Sequence, residues 1–271
     1  MNINVGMNAN DLYKTLEDYF NPKLCTDIFK IGLQYNNTDF IKKIYTSTFA
    51  SVDVLKRVLD KNENDIMIFS HHPVPQKPDE NSPYPEIPLY LVEKLKESRI
   101  SLFSYHIPLD GHNLYSPSYS LALALGLKPY DTFYFQNGIE MGELCESTYS
   151  NINEVVIHLE HLFGHAVRLY NYGDEEVKNK RIAIVAGCAK NPDMYEYLYI
   201  KGINTFITGV TNKEITWTQS IHEQAKVNGI NLIGGTHFST EKFALISLVK
   251  FFEGLGIPCE FLDELPNLND I

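Results

Sequence analysis

Three short apolar runs, each ending where a metal-binding side chain begins, constrain this chain more than any other feature. Asp65-Ile66-Met67-Ile68-Phe69 leads into Ser70-His71-His72-Pro73. Ile100-Ser101-Leu102-Phe103-Ser104-Tyr105 leads to His106 and, four residues on, Asp110. Ile230-Asn231-Leu232-Ile233 leads through Gly234-Gly235 to His237 and, again four residues on, Glu241. Such short apolar runs suit strands buried on both faces, as in a parallel sheet. Other strand-like runs (Ile31–Tyr35, Ile44–Phe49, Arg181–Ala186, Thr205–Thr208) are separated by helical patterns. These patterns include a capped amphipathic stretch from Asn10 to Phe20, a helix from Ser51, Leu89–Lys96, Met194–Ile200 and Thr216–Val227. Alternation of this kind predicts βα units. In such sheets ligands gather at the carboxyl ends of the strands, where all of these donors fall.

The donor types fit a two-metal centre. Adjacent side chains on a regular strand point to opposite faces, so an exit into a turn before Pro73 is expected to free His71 and His72 to serve two different ions. Asp110 carries two oxygens and can bridge ions about 3.5–4 Å apart. His237 and Glu241 share one face of a helix start, which Ser239 or Thr240 is expected to cap. Nitrogen and oxygen donors without thiolate suit zinc, iron, manganese or cobalt. Five ligands leave two divalent ions with open positions for water, as catalytic sites require and structural sites avoid. His106 and Glu241 are the candidates for proton transfer, His106 also for support of the cluster, and His112 is a weaker supporting candidate. His158, His161, His165 and His222 sit on helical or loop patterns and read as packed or exposed histidines.

Composition narrows the function class. At 271 residues the chain can bury one large core or two modest ones. Hydrophobic content of 44% and charged content of 21% are those of a globular protein. A net charge of -11 argues against a nucleic-acid surface, which needs clustered Lys and Arg. A small anionic ligand stays compatible with that charge, because two local divalent cations outweigh it. Cys25, Cys145, Cys188 and Cys259 show no CxxC spacing and read as reduced thiols. Met1-Asn2-Ile3-Asn4 opens with no signal-peptide pattern, and no apolar stretch approaches the roughly 18 residues that span a bilayer. A cytoplasmic protein without a membrane partner is expected. Pro73, Pro75, Pro78, Pro83, Pro85 and Pro88 stiffen a long loop expected to act as a lid or binding loop.

The ordered segments Gly32-Leu33-Gln34, Ser70-His71-His72-Pro73, His106-Ile107-Pro108-Leu109-Asp110, Thr208-Gly209 and Gly235-Thr236-His237-Phe238-Ser239-Thr240-Glu241 span nearly the whole chain. Together they resemble the Nif-three-like family, also labelled dinuclear metal-centre hexameric proteins or GTP cyclohydrolase I type 2 homologues. The resemblance places the family's metal ligands on His71, His72, Asp110, His237 and Glu241. It implies two similar α/β domains with mixed, largely parallel sheets and a metal site at strand ends between the domains. Residues 1–127 with 230–271 would form the first domain, and 128–229 an inserted second one. It also implies a homohexamer. The chain departs from the family pattern at Thr46-Ser47-Thr48-Phe49, where the family often carries an aspartate, at the reduced turn Gly187-Cys188-Ala189-Lys190, and at Val210.

The expected function is a metal-dependent hydrolase of a small phosphorylated or nucleotide-like substrate, GTP being one candidate. No GxxxxGK[ST] loop is present to cradle a triphosphate. The competing reading is a non-catalytic metal-binding oligomer: a metallochaperone, an ion store or an interaction scaffold.

Overall fold

The computed structural model describes residues 5–72 and 87–271. The proline-rich loop expected as a lid lies outside the described residues, apart from Pro88. The described residues form two compact α/β units. The first comprises Met1–Leu109 with Leu245–Glu264, and the second Asp110–Ala244 with Leu265–Ile271. These bounds differ from those expected above, since residues 110–127, 230–244 and 265–271 fall in the second unit.

The first unit opens with β1 (Met7–Asn8) and α1 (Ala9–Phe20), followed by β2 (Gly32–Tyr35) and β3 (Phe40–Ile41). β4 (Lys43–Phe49), α2 (Val52–Asp60), β5 (Ile66–His72), α3 (Leu89–Glu97) and β6 (Ile100–Ser104) come next. Asn8 starts α1 by accepting the Asn10 amide at 3.0 Å, and Leu12, Leu16 and Phe20 bury one stripe of the helix. Ser51 caps α2 through the Val54 amide at 3.2 Å, and Val54, Leu55 and Val58 face inward. With β13 (Cys259–Phe261), the sheet order is β13-β4-β5-β6-β2. β13, β4, β5 and β6 run parallel, and β2 closes the edge antiparallel. Every residue of β5 and β6 is buried, which explains their near-continuous apolar character.

One carboxylate ties the three central strands together where they start. Asp65 precedes β5. It accepts from Lys42, just before β4, at 2.6 Å and from Arg99, just before β6, at 2.7 and 3.1 Å. The forked Arg99 contact, with Lys42, holds the Asp65 carboxyl well below the usual carboxylate range. At the other end, Glu264 accepts the amides of Thr48 and Phe49 at 2.9 and 3.0 Å, after the core of β4. Burial outweighs those bonds and pushes the Glu264 carboxyl up to about 7.

The second unit contains α4 (Ile107–Asp110), which begins in the first unit, then α5 (Pro117–Ala124), β7 (Lys128–Gln136), β8 (Ile139–Glu146), α6 (Ile152–Phe163) and β9 (Arg168–Tyr170). β10 (Arg181–Val185), α7 (Met194–Ile200), β11 (Thr205–Thr208), α8 (Thr218–Val227), β12 (Asn231–Gly234) and α9 (His237–Gly254) follow, α9 passing into the first unit from Leu245. The sheet order is β7-β8-β10-β11-β12-β9, with β10, β11 and β12 parallel and the rest antiparallel. The run Ile230–Ile233, expected in the first domain, forms β12. Its backbone bonds to β11 and β9, and that pairing places it in the second unit.

Here neutral amides tie the strand starts. Asn204, before β11, donates to the carbonyls of Glu176 and Asp174 at 2.8 and 3.2 Å and accepts the Lys178 amide at 3.0 Å. Asn231, at the start of β12, donates to the Asp174 carbonyl and accepts the Gly173 amide, both at 2.7 Å. Both side chains are buried, so each bond satisfies a group that water cannot reach.

The two units repeat one plan. A β4-α2-β5-α3-β6 run is matched by β10-α7-β11-α8-β12. In each, a strand from before the run lies antiparallel beside its last strand, β2 beside β6 and β9 beside β12. In each, that last strand delivers a histidine followed four residues later by a carboxylate: His106 and Asp110, then His237 and Glu241.

Candidate metal centre

In the first unit the donors gather at the carboxyl ends of β5 and β6. His71 and His72 are both still within β5, so the exit into a turn expected before them does not occur. His72 stays in register with Phe49 of β4, and their rings stack at 4.6 Å and 11°. The His71 and His72 ring centroids nevertheless lie 4.4 Å apart. His106 follows β6, its ring centroid 5.4 Å from His71 and 5.0 Å from His72. One ring nitrogen from each of the three histidines lies within 4.8 Å of the others.

Hydrogen bonds fix two of these rings. His71 Nδ1 lies 3.0 Å from the Tyr105 carbonyl, which can only accept, so Nδ1 carries the hydrogen and Nε2 keeps its lone pair. His106 Nδ1 meets the Asp27 carboxylate at 3.1 and 3.3 Å, so a hydrogen sits on Nδ1 there as well. Asp27 also accepts the amides of Phe29 at 2.9 Å and Ile107 at 3.1 Å. Burial alone would raise the Asp27 carboxyl; His106 and these two amides outweigh it and hold the group below its ordinary value.

The second unit contributes Asp110, His237 and Glu241. Asp110 ends α4. His237 opens α9, with its Nε2 3.0 Å from Glu241 Oε1 one turn later. Thr236, rather than the expected Ser239 or Thr240, caps that helix: its hydroxyl accepts the Ser239 amide at 3.2 Å. Thr236 sits at φ 67°, a conformation rare for a β-branched residue, so the chain accepts strain immediately before His237. Asp270 accepts the His237 amide at 2.9 Å, and burial raises its carboxyl above the ordinary value.

Gly187, after β10, explains what survives of the reduced glycine turn. Its φ is +70°, and a Cβ there would lie 2.1 Å from Glu241 Oε1 and 3.2 Å from His237 Nε2. The next residue, Cys188, places Sγ 3.7 Å from His237 Nδ1. No larger residue fits at 187 without displacing a donor.

The donor chemistry fits a divalent cation. Asp110 and Glu241 are 8% and 3% exposed and bring carboxylate oxygens within 4.8 Å of each other. Two buried carboxylates that close together favour a cation beside them. Imidazoles and carboxylates would hold the borderline ions expected above, zinc, iron, manganese or cobalt. Among the other histidines, His158 bonds Tyr149, His165 bonds Ser239 at 2.7 Å, and His222 bonds the Thr211 carbonyl at 2.7 Å. These three are packing histidines. His112 meets the fully buried Glu143 at 2.7 Å, a contact that anchors the loop after Asp110. Asp27 and Asp270 have no sequence signal of their own, because each is an isolated aspartate in irregular chain.

The sequence pattern of Duf34/NIF3 (NGG1p interacting factor 3) matches residues 7–265. A Borreliella burgdorferi protein named GTP cyclohydrolase 1 type 2 homolog is 30% identical over 253 residues, covering 91% of this chain and 94% of that one. An Archaeoglobus fulgidus protein of the same name is 26% identical over 265 residues, covering 97% and 100%. Among solved structures, the protein ybgI superposes with a TM-score of 0.79 at 22% identity, over 96% of this chain and 99% of that one. HcgD from Methanocaldococcus jannaschii gives 0.75 at 21%, over 96% and 99%. These likenesses share the two-unit α/β fold, and the pattern spans nearly the whole chain. The chain belongs to the Duf34/NIF3 family.

Proposed function

We propose that this protein binds two divalent ions through His71, His72, Asp110, His237 and Glu241 and hydrolyses a small phosphorylated or nucleotide-like substrate. The observation that carries the reading is the pair of buried carboxylates, Asp110 and Glu241, whose oxygens lie within 4.8 Å of one another beside a histidine. When bound, the ions would supply Lewis-acid polarisation and make water a nucleophile at neutral pH. The residues themselves fix positions. Thr236 and Asp270 set the start of α9, so His237 and Glu241 emerge on one face. Asp27 and the Tyr105 carbonyl set the rings of His106 and His71. Glu241, already 3.0 Å from an imidazole nitrogen, is the group we assign to proton transfer. The relatives' shared name makes ring opening of GTP one candidate reaction. A homohexamer in the cytoplasm belongs to the same proposal.

Elemental analysis of the purified protein, beside a His71→Ala/Glu241→Ala variant of verified fold, tests this reading. About two equivalents of divalent metal, lost in the variant, support the centre. A phosphoester and nucleotide screen with metal add-back then reads activity. Metal without turnover supports the store or scaffold reading instead. No metal, even after reconstitution, overturns the proposal.

A further inference from the structure

We propose that Lys190 and the indole of Trp217 form a ligand subsite in the second unit, which takes a mononucleotide by its phosphate and its base. The inference rests on the function proposed above and names the part of the substrate that this unit would hold.

Three observations carry it. The first is place. Lys190 lies in the loop that leaves β10, and Trp217 ends the loop that leads from β11 into α8. β10 and β11 are parallel neighbours, so both loops sit at the carboxyl ends of the strands, where an open α/β sheet takes its ligands. Lys190 follows Cys188 by two residues, about 7 Å of chain at most, and the Cys188 Sγ is 3.7 Å from His237 Nδ1. A mononucleotide is long enough to reach from one to the other. The second is the pairing of cation and ring. The Lys190 ammonium lies 5.5 Å from the centre of the half-buried Trp217 indole. Among the described residues no carboxylate holds it, although the chain carries a net charge of -11. A lysine over an accessible ring is weakly held, and a phosphate is the stronger partner. An ammonium drawn to a phosphate bares the face of the indole, and a base can stack there.

The third is how the loop is fixed. The Tyr134 hydroxyl accepts the amides of Lys190 and Asn191 at 2.8 and 3.3 Å and donates to Gln136 at 2.8 Å. Tyr134 sits at φ 63°, a costly conformation for an aromatic residue within a strand. Strain of this kind persists at ligand clamps, where the surroundings hold it. Here it sets a phenol against the backbone of the loop that presents an exposed lysine.

Trp217 is the chain's single tryptophan, so its emission reports the subsite directly. Adenosine monophosphate is the probe, because stacking tolerates any base. It is titrated into the full chain stripped of metal by chelation, so that bound ions contribute nothing, and equilibrium dialysis measures the same affinity without fluorescence. Each variant is checked by circular dichroism. We expect a saturable quench in the wild type. Lys190→Met should weaken binding of the nucleotide about 10-fold and leave adenosine, which lacks the phosphate, unchanged. Trp217→Leu should cost about 10-fold in dialysis. Tyr134→Phe keeps the ring, loses the hydroxyl that holds the loop, and should weaken the nucleotide more than adenosine. A wild type that does not bind the nucleotide overturns the inference, and so does a Lys190→Met variant that binds it as tightly as wild type. If the same protein takes up about two equivalents of divalent metal on reconstitution, the metal reading then stands without this subsite. Nucleotide binding that depends on Lys190, in a protein that takes up no metal, supports the subsite and overturns the hydrolase reading instead.

Discussion

The two units solve the same structural problems with opposite chemistry. Both must close the starts of three parallel strands, and both present donors at the far ends of those strands. The first unit closes its strands with full charges, Asp65 against Lys42 and Arg99. The second uses the neutral amides of Asn204 and Asn231. At the donor ends the character reverses. The first unit offers three imidazoles, and the second offers two carboxylates and one imidazole. The exit from the first strand of each run, β4 or β10, differs as well. In the first unit its amides go to the Glu264 carboxylate; in the second, the Gly187 amide goes to the Thr240 hydroxyl at 3.0 Å. A shared topology therefore fixes where polar groups are needed without fixing which ones serve.

Substitutions that act on one unit alone can break this comparison or sharpen it. The largest effect is expected from Gly187→Ala, where a Cβ would meet Glu241 Oε1 at 2.1 Å. Metal affinity should fall by about 100-fold, as when a ligand's support is lost, while hydrogen exchange in β4 to β6 stays unchanged. Exchange that rises in both units equally would show that the two are not separable in this way. Asn231→Ala leaves the Gly173 amide and a bond to the Asp174 carbonyl unserved in a buried place. Its expected cost is about 2–4 kcal/mol, seen by denaturant unfolding and as faster exchange in β11 and β12.

Two smaller effects concern the charged ties of the first unit, and their pH signs are opposite. The Glu264 carboxyl sits near 7 when folded, above its ordinary 4.5, because it is buried. Between these values the folded state keeps a proton that the unfolded chain has released. The contribution is therefore complete below about pH 4.5 and lost as pH rises through 7. Glu264→Gln should remove a decline of about 2 kcal/mol across that window, discounted for the solvent near a partly exposed side chain. A pH profile of unfolding free energy identical in both proteins would refute the assignment. Asp65 is lowered instead, so its contribution is present at neutral pH and fades as pH falls below about 4. Asp65→Asn should flatten that acid-side decline and reduce the salt sensitivity of the thermal midpoint by a few degrees, the smallest change of the four. No counterpart is expected in Asn204→Ala.

Much of the scaffold was legible because buried parallel strands write themselves as apolar runs. Thr205–Thr208 is a strand over those same residues, and β5, β6 and β12 fall on the three runs that end in donors. Membership was less legible. Nothing within Ile230–Ile233 says whether its backbone will bond to β6 or to β11, since pairing is decided by neighbours distant in sequence. The helix start at His237 was misplaced because capping residues are common in Gly235-Thr236-His237-Phe238-Ser239-Thr240 and only the backbone angle selects Thr236. At the site, donor types at strand ends could be read directly, and the structure gathers them within each unit. Their supports could not be read: Asp27 lies 79 residues from the histidine it orients, and no periodicity links the two. Gly187 looked like a remnant of a richer turn. Its necessity shows only in the space that Glu241 occupies.

The stack of Phe49 on His72 gives the first unit a built-in reporter. An aromatic ring lying nearly parallel over an imidazole shields the protons beneath its face. The carbon-bound ring protons of His72 should therefore resonate upfield of the usual histidine region. A cation reaching His72 would move that one signal, so the filling of a single donor can be followed by magnetic resonance in the intact protein, with no label attached.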